Sequence, residues 1–205
     1  MTTKKFLNSN VIFLAFLIFG ISACTITDDG EDPLMEFSNF SFGDKKIEFK
    51  SAKLTITGPV NFSSASSHVW AKLDLSTDEK FSQPSIANSS VMSLVIYSVT
   101  NGKTLPEFPL QSGEYIVYPS SGVTEPAVIA NLEEKNFSLG PSIGFNYFPD
   151  ELIFESIHDP ANGKIIIQFD FEKNRVNITH NWISKDGVKA TGTNNLPLNL
   201  SSFKP

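Results

Sequence analysis

The chain has 205 residues, 18 of them Phe, one Cys and a formal net charge of −6. An acidic balance argues against a nucleic-acid partner, which needs a basic face, and a single cysteine excludes an intramolecular disulfide framework. Abundant Ser, Asn, Thr, Phe and Ile, with Gly and Pro spread throughout, favour strands and turns over helices.

Lys4 and Lys5 precede an uncharged apolar run from Val11 to Ala23. That run is shorter than the roughly 20 residues a membrane-spanning helix needs, and its charged start and small-residue end give the pattern of a secretory signal peptide. The run ends in Ile21-Ser22-Ala23-Cys24, which resembles the lipobox of bacterial lipoproteins. The resemblance implies cleavage before Cys24 and acylation of its sulfur and its new amine. A lone thiol in an oxidising compartment fits the same reading, because thioether formation removes it. Residues 1–23 are thus expected to be a signal peptide, and residues 24–34 a lipidated cysteine with its tether. Asp28, Asp29, Glu31 and Asp32 repel one another and extend that tether. The acidic stretch looks like the one that follows the lipidated cysteine in Bacteroidetes lipoproteins destined for the outer cell surface. The implied location is the outer membrane, lipid-anchored and facing outward, with the periplasmic face as the alternative.

Residues 35–205 are expected to form a single all-β domain. Phe37, Phe40 and Phe42 make early core or edge contacts, Gly43-Asp44 turns, and Ile47 and Phe49 alternate with charged residues as a half-buried strand. Leu54 and Ile56 form a short strand that ends at a Gly58-Pro59 turn. In His68 to Ser76, the alternation puts Val69, Ala71, Leu73 and Leu75 inside, with His68, Trp70, Lys72 and Asp74 outside. Val91 to Val99 is apolar on both faces, the pattern of a strand covered on both sides. Asn101-Gly102 turns the chain, Pro106 and Pro109 interrupt it, and Glu114 to Tyr118 is another strand. Ala127 to Ala130 adds a short one. Residues 139–161 read as irregular and aromatic, with either a helical turn at Pro149-Asp150-Glu151 or a strand over Leu152 to Ile157.

The C-terminal part has the clearest period. Ile165, Ile167, Phe169 and Phe171 share one face, and Glu172 to Arg175 make a hairpin turn. Val176, Ile178, His180 and Trp182 share a face of the returning strand, with Asn177, Thr179 and Asn181 opposite. Asp186-Gly187 is a second hairpin turn, and a last strand lies near Leu196 to Leu200. These elements predict an all-β antiparallel sandwich or barrel of about eight to ten strands. The closing pattern looks like small all-β lipoprotein domains of unknown function in Bacteroidetes, some with a lipocalin-like barrel. That likeness transfers no active site.

Chemistry-bearing motifs are missing: there is no HExxH, cysteine metal motif, phosphate loop or GxSxG. No catalytic residue, metal site or cofactor is assigned. His180 lies on an apolar strand face and reads as a core histidine or as a ligand contact in a barrel. His158-Asp159 before Pro160 fits a turn. The pairs Glu151/Glu155 and Asp170/Glu172 read as solvated faces, although two acids flanking a scissile bond would serve a glycosidase. Sequons at Asn61, Asn88, Asn136, Asn177 and Asn199 are expected by chance in a chain rich in Asn and Ser. Aromatic residues supply the remaining hint. Trp70, Phe145, Tyr147, Phe148, His180 and Trp182 are candidate ligand contacts, since sugar rings stack on aromatic faces; the competing role of Phe145, Tyr147 and Phe148 is to cover one end of the core. The expected function is a non-catalytic envelope lipoprotein, joined to the membrane at Cys24, that binds a glycan or an envelope protein. A lipocalin-like carrier and an unrecognised hydrolase are the alternatives.

Overall fold

A computed structural model describes residues 37–61, 67–81, 87, 89–100, 110–119, 135–148 and 153–201. The signal segment, Cys24 and the acidic tether lie outside these residues, as do the Asn101-Gly102 turn, Pro106, Pro109, the strand expected at Ala127 to Ala130, and Pro149 to Leu152.

Twelve strands are present among the described residues: β1 Phe37–Ser38, β2 Phe40–Phe42, β3 Lys45–Ile47, β4 Ser51–Asn61, β5 Ser67–Ser76, β6 Val91–Val99, β7 Gly113–Tyr118, β8 Phe137–Phe148, β9 Ile153–His158, β10 Pro160–Asp170, β11 Arg175–Ser184 and β12 Lys189–Ser201. Eight of them close into a barrel in the order β11-β10-β7-β8-β6-β5-β4-β12, with β12 pairing back to β11. The barrel is mixed. β4-β5-β6-β8 and β7-β10-β11-β12 are each antiparallel, and two parallel seams join them, β7 to β8 and β12 to β4. The purely antiparallel expectation is corrected at these seams, which lie on opposite sides of the circuit.

Both seams are short, and each is braced. The β7–β8 seam has only three registered pairs, Ile116↔Phe137, Val117↔Ser138 and Tyr118↔Leu139. On the outside of the wall, Tyr97, Tyr118 and Leu139 pack around the fully buried Phe137. Tyr97 stacks on Phe137 at 4.6 Å, and the edge of His68 meets it at 5.5 Å. His68 is itself buried and reaches the Lys135 carbonyl at 3.1 Å. His68 points outward, as the alternation predicts, but lies under cover. Asp74 is also buried, where it accepts from the Ser93 hydroxyl and pairs with Lys72 at 3.0 Å.

The second seam is braced by the start of the domain. Along one edge β12 pairs with β2 at Ala190 and Thr191, with β1 at Asn194 and Asn195, and only then with β4 from Leu198 to Ser201. The β2–β3 hairpin, turning at Gly43-Asp44, is wedged between β12 and the path that leads into β4. Gly192 makes this possible. Its φ is +124°, and a Cβ there would lie 2.5 Å from the Asn39 carbonyl oxygen and 2.8 Å from the Phe40 Cα.

Several local expectations change. Gly58-Pro59 is not a turn, since β4 runs through it with a bulge between Ile56 and Gly58. A bulge bends a strand without ending it. β6 is not covered evenly on both sides: Met92, Leu94 and Ile96 are fully buried, and the alternate residues half-buried. Residues 139–161 are mostly regular, as β8, β9 and the start of β10. Gly140 and Asn146 have positive φ within β8, kinks that disturb the period and disguise the strand. Leu196 to Leu200 is part of one continuous β12. The meander from β10 to β12 and its two turns are as the sequence predicts.

Inside the barrel 26 buried residues form one cluster among those described, from Phe40 and Phe42 through Trp182 to Leu198. Each fully buried Leu, Ile or Phe contributes about 1.5–3 kcal/mol, so this cluster drives closure. An eight-stranded barrel is just wide enough for side chains to fill it.

Candidate functional site

The wedge places two phenylalanines inside the bore. Phe40 packs against the His180 ring at 4.9 Å and against Phe49 at 5.4 Å. Phe42 sits among Trp182 at 5.8 Å, Phe145 at 5.6 Å and His158 at 4.9 Å. The Lys45 ammonium lies 4.6 Å from the centre of the Phe145 ring, a cation–π contact. Phe145 and Trp182 thus come together at one end of the core, with His180 in the adjacent layer. Phe145, Trp182 and His180 are all 4 % exposed or less. Trp70 is apart from them, half-buried on the outer face of β5. Tyr147 and Phe148 belong to β8, opposite Phe154 and Ile153 of β9; their side chains lie outside the described set.

A polar thread ties the wedge to the barrel. Phe49 N–H donates to Ser38 Oγ at 3.0 Å, and that hydroxyl lies 2.6 Å from Asn194 Oδ1 and 3.2 Å from the Ile47 carbonyl. Asn194 Nδ2 donates to His180 Nε2 at 2.9 Å. An amide nitrogen has no lone pair to offer, so this contact assigns the hydrogen of the neutral imidazole to Nδ1. Among the described residues Nδ1 has no partner, and neither does Trp182 Nε1. Burial pushes the His180 pKa down from its usual 6.5 to about 3. Protonation would also set an Nε2–H against the Asn194 amide hydrogens. Sequence reasoning missed Ser38 and Asn194; the outward Asn195 beside Asn194 gives no local sign of which one turns in. Ser38→Ala is expected to lower stability by about 1–2 kcal/mol, read as a lower urea midpoint with an unchanged slope.

Near the mouth, His158 Nδ1 and Asp186 Oδ2 are 2.8 Å apart, and Lys185 pairs with Asp159 at 3.6 Å. The Ser184 hydroxyl, with a smaller contribution from His158, holds the Asp186 carboxyl below the usual range. This is a Ser, a His and an Asp in proximity, but not a nucleophilic relay. Ser184 Oγ accepts from Val188 N–H at 2.9 Å, and its single hydrogen is divided between the Val188 carbonyl, at 3.1 Å, and Asp186, which fixes it in the turn. A relay requires the imidazole to reach the hydroxyl.

Of the proposed carboxylate pairs, Asp170 closes β10 and accepts from Lys173 N–H at 3.0 Å, while Glu172 lies in the turn and not on a strand face. Glu151 and the side chain of Glu155 lie outside the described residues. Among the described residues no group of three His, Cys, Asp or Glu side chains is placed to hold a metal ion. Comparison of the chain with protein-family models, with curated proteins and with solved structures returns no match.

Proposed function

We propose that this chain is a non-catalytic cell-envelope lipoprotein, anchored by acyl groups on Cys24 and displayed at the cell surface, whose barrel binds a glycan or an envelope partner on its outside. The observation that carries this reading is the occupancy of the bore. A carrier needs a cavity of about 300–1,000 Å³ facing its ligand-binding side chains. Here the wall that bears His180 and Trp182 faces Phe40 and Phe42 instead. That weighs against an internal cargo and leaves the outer wall for recognition. The engaged hydroxyl of Ser184 weighs against a serine hydrolase.

The anchor is tested on the full chain expressed in a Gram-negative host. The parent is expected in the detergent phase on Triton X-114 partition, with an N-terminal peptide mass carrying acyl chains at Cys24. Cys24→Ala should move to the aqueous phase, because two or more chains are needed for stable attachment and the variant has none. Protease added to intact cells should degrade the parent. A parent chain that stays aqueous, or carries no acyl mass, overturns the lipoprotein reading; full protection from protease moves it to the periplasmic face.

A further inference from the structure

The outer wall of β10, β11 and β12 carries ordered rows of mostly uncharged polar side chains. Register brings Gln168, Asn177 and Asn195 into one row, Ile166, Thr179 and Thr193 into the next, and Lys164, Asn181 and Thr191 into a third. Thr is ordinary on an exposed strand face, but Asn is depleted in strands. Four Asn, at 162, 177, 181 and 195, nevertheless stand on this one wall. Beyond the third row the wall dips into an open groove of about 410 Å³ whose lining includes Glu114, Ile116, Asn162, Lys164, Asn181 and Ile183. Asn162 and Asn181 are exposed, and the two isoleucines are half-buried. Lys164 and Glu114 pair at 2.9 Å.

We propose that this groove binds a neutral, pyranose-based glycan that continues along the Thr and Asn rows. The inference rests on the reading that the barrel recognises its ligand on its outside. A carboxamide presents a carbonyl and an NH₂ side by side in one rigid plane. That fork suits two adjacent ring hydroxyls, each a donor and an acceptor. Asn162 and Asn181 supply two such forks, and the Lys164–Glu114 pair adds one donor and one acceptor. Ile116 and Ile183 offer an apolar floor for the C–H face of the sugar. The charges of the Lys164–Glu114 pair cancel, Lys189 leaves the lining with one net positive charge, and the two rows next to Lys164 are uncharged, a field well short of the basic face a polyanion needs.

The test is affinity electrophoresis and calorimetry of the full-length protein in mild detergent. The neutral probes are amylopectin, dextran, xylan, mannan and a β-1,3-glucan; the anionic probes are polygalacturonate and heparin. At least one neutral glycan is expected to bind. Asn162→Ala and Asn181→Ala should each weaken it about tenfold, since each removes a hydrogen-bonding pair, with melting temperature unchanged. Lys72→Ala, on the opposite wall, should have no effect. Binding to no neutral glycan, binding to the anionic probes alone, or indifference to both Asn variants overturns the groove. If Trp70→Ala abolishes glycan binding while the Asn variants are silent, recognition is external but the groove is wrong. An apolar molecule co-purifying inside the barrel would instead overturn the external reading itself.

Discussion

Gly192→Ala is expected to destabilise the barrel by about 3–5 kcal/mol, combining the strain of a non-glycine residue at positive φ with a steric overlap. The added methyl would meet backbone on its far side, the Asn39 carbonyl and the Phe40 Cα, both under 3.0 Å. Neither can move by a side-chain rotation. Relief requires the β1–β2 segment to lift away from β12, and with it Phe40 leaves His180. The variant should therefore lose stability and also expose residues 37–49 to limited proteolysis before the rest of the barrel unfolds. Gly187→Ala is the control: φ is +83° there, but nothing lies within 4 Å of the new methyl, so backbone strain of about 1 kcal/mol remains. Equal losses in the two variants, or a Gly192→Ala protein whose N-terminal segment resists protease as the parent does, would show that the close approach does not hold the wedge.

Acidification is the second large effect. His180 is neutral in the folded barrel down to about pH 3, whereas in the unfolded chain it titrates near 6.5. Between those values the unfolded state binds the extra proton, so stability rises with pH. The contribution is fully present above about pH 6.5 and is lost progressively as pH falls toward 3. It amounts to roughly 1 kcal/mol per pH unit and a few kcal/mol in total. His180→Leu should flatten this slope between pH 6.5 and 5, above the range where most carboxylates titrate. It also costs about 1–3 kcal/mol at pH 7.5, because the Asn194 amide loses its acceptor. Thermal melts of parent and variant across pH 4.5–8 provide the check. Parallel slopes in the two proteins would mean that His180 is accessible to protons without unfolding.

Residues 164–201 show how far local chemistry reaches. The alternation Ile165, Ile167 and then Val176, Ile178, His180, Trp182 marks one inward face on each strand, and Asp186-Gly187 marks the turn. Both faces and turns are present in the structure. Period-2 burial and turn residues are properties of adjacent positions, so the sequence by itself determines them.

Other features depend on which strands become neighbours, and local alternation does not encode that. β8 carries Gly140 and Asn146 at positive φ, breaking the period that would have announced it. His68 and Asp74 occupy outward positions, yet the packing of other residues over the wall buries them. Asn162, Asn181 and Ile116 become one groove only because β10 lies between β7 and β11. The tertiary structure alone decided the two parallel seams, the closure of β12 on β11, and the wedge that fills the bore with Phe40 and Phe42. Each strand's backbone donors and acceptors can pair with almost any partner. The choice among partners is made by the collective packing of the interior, where Gly192 allows the close approach and the Ser38–Asn194–His180 thread secures it.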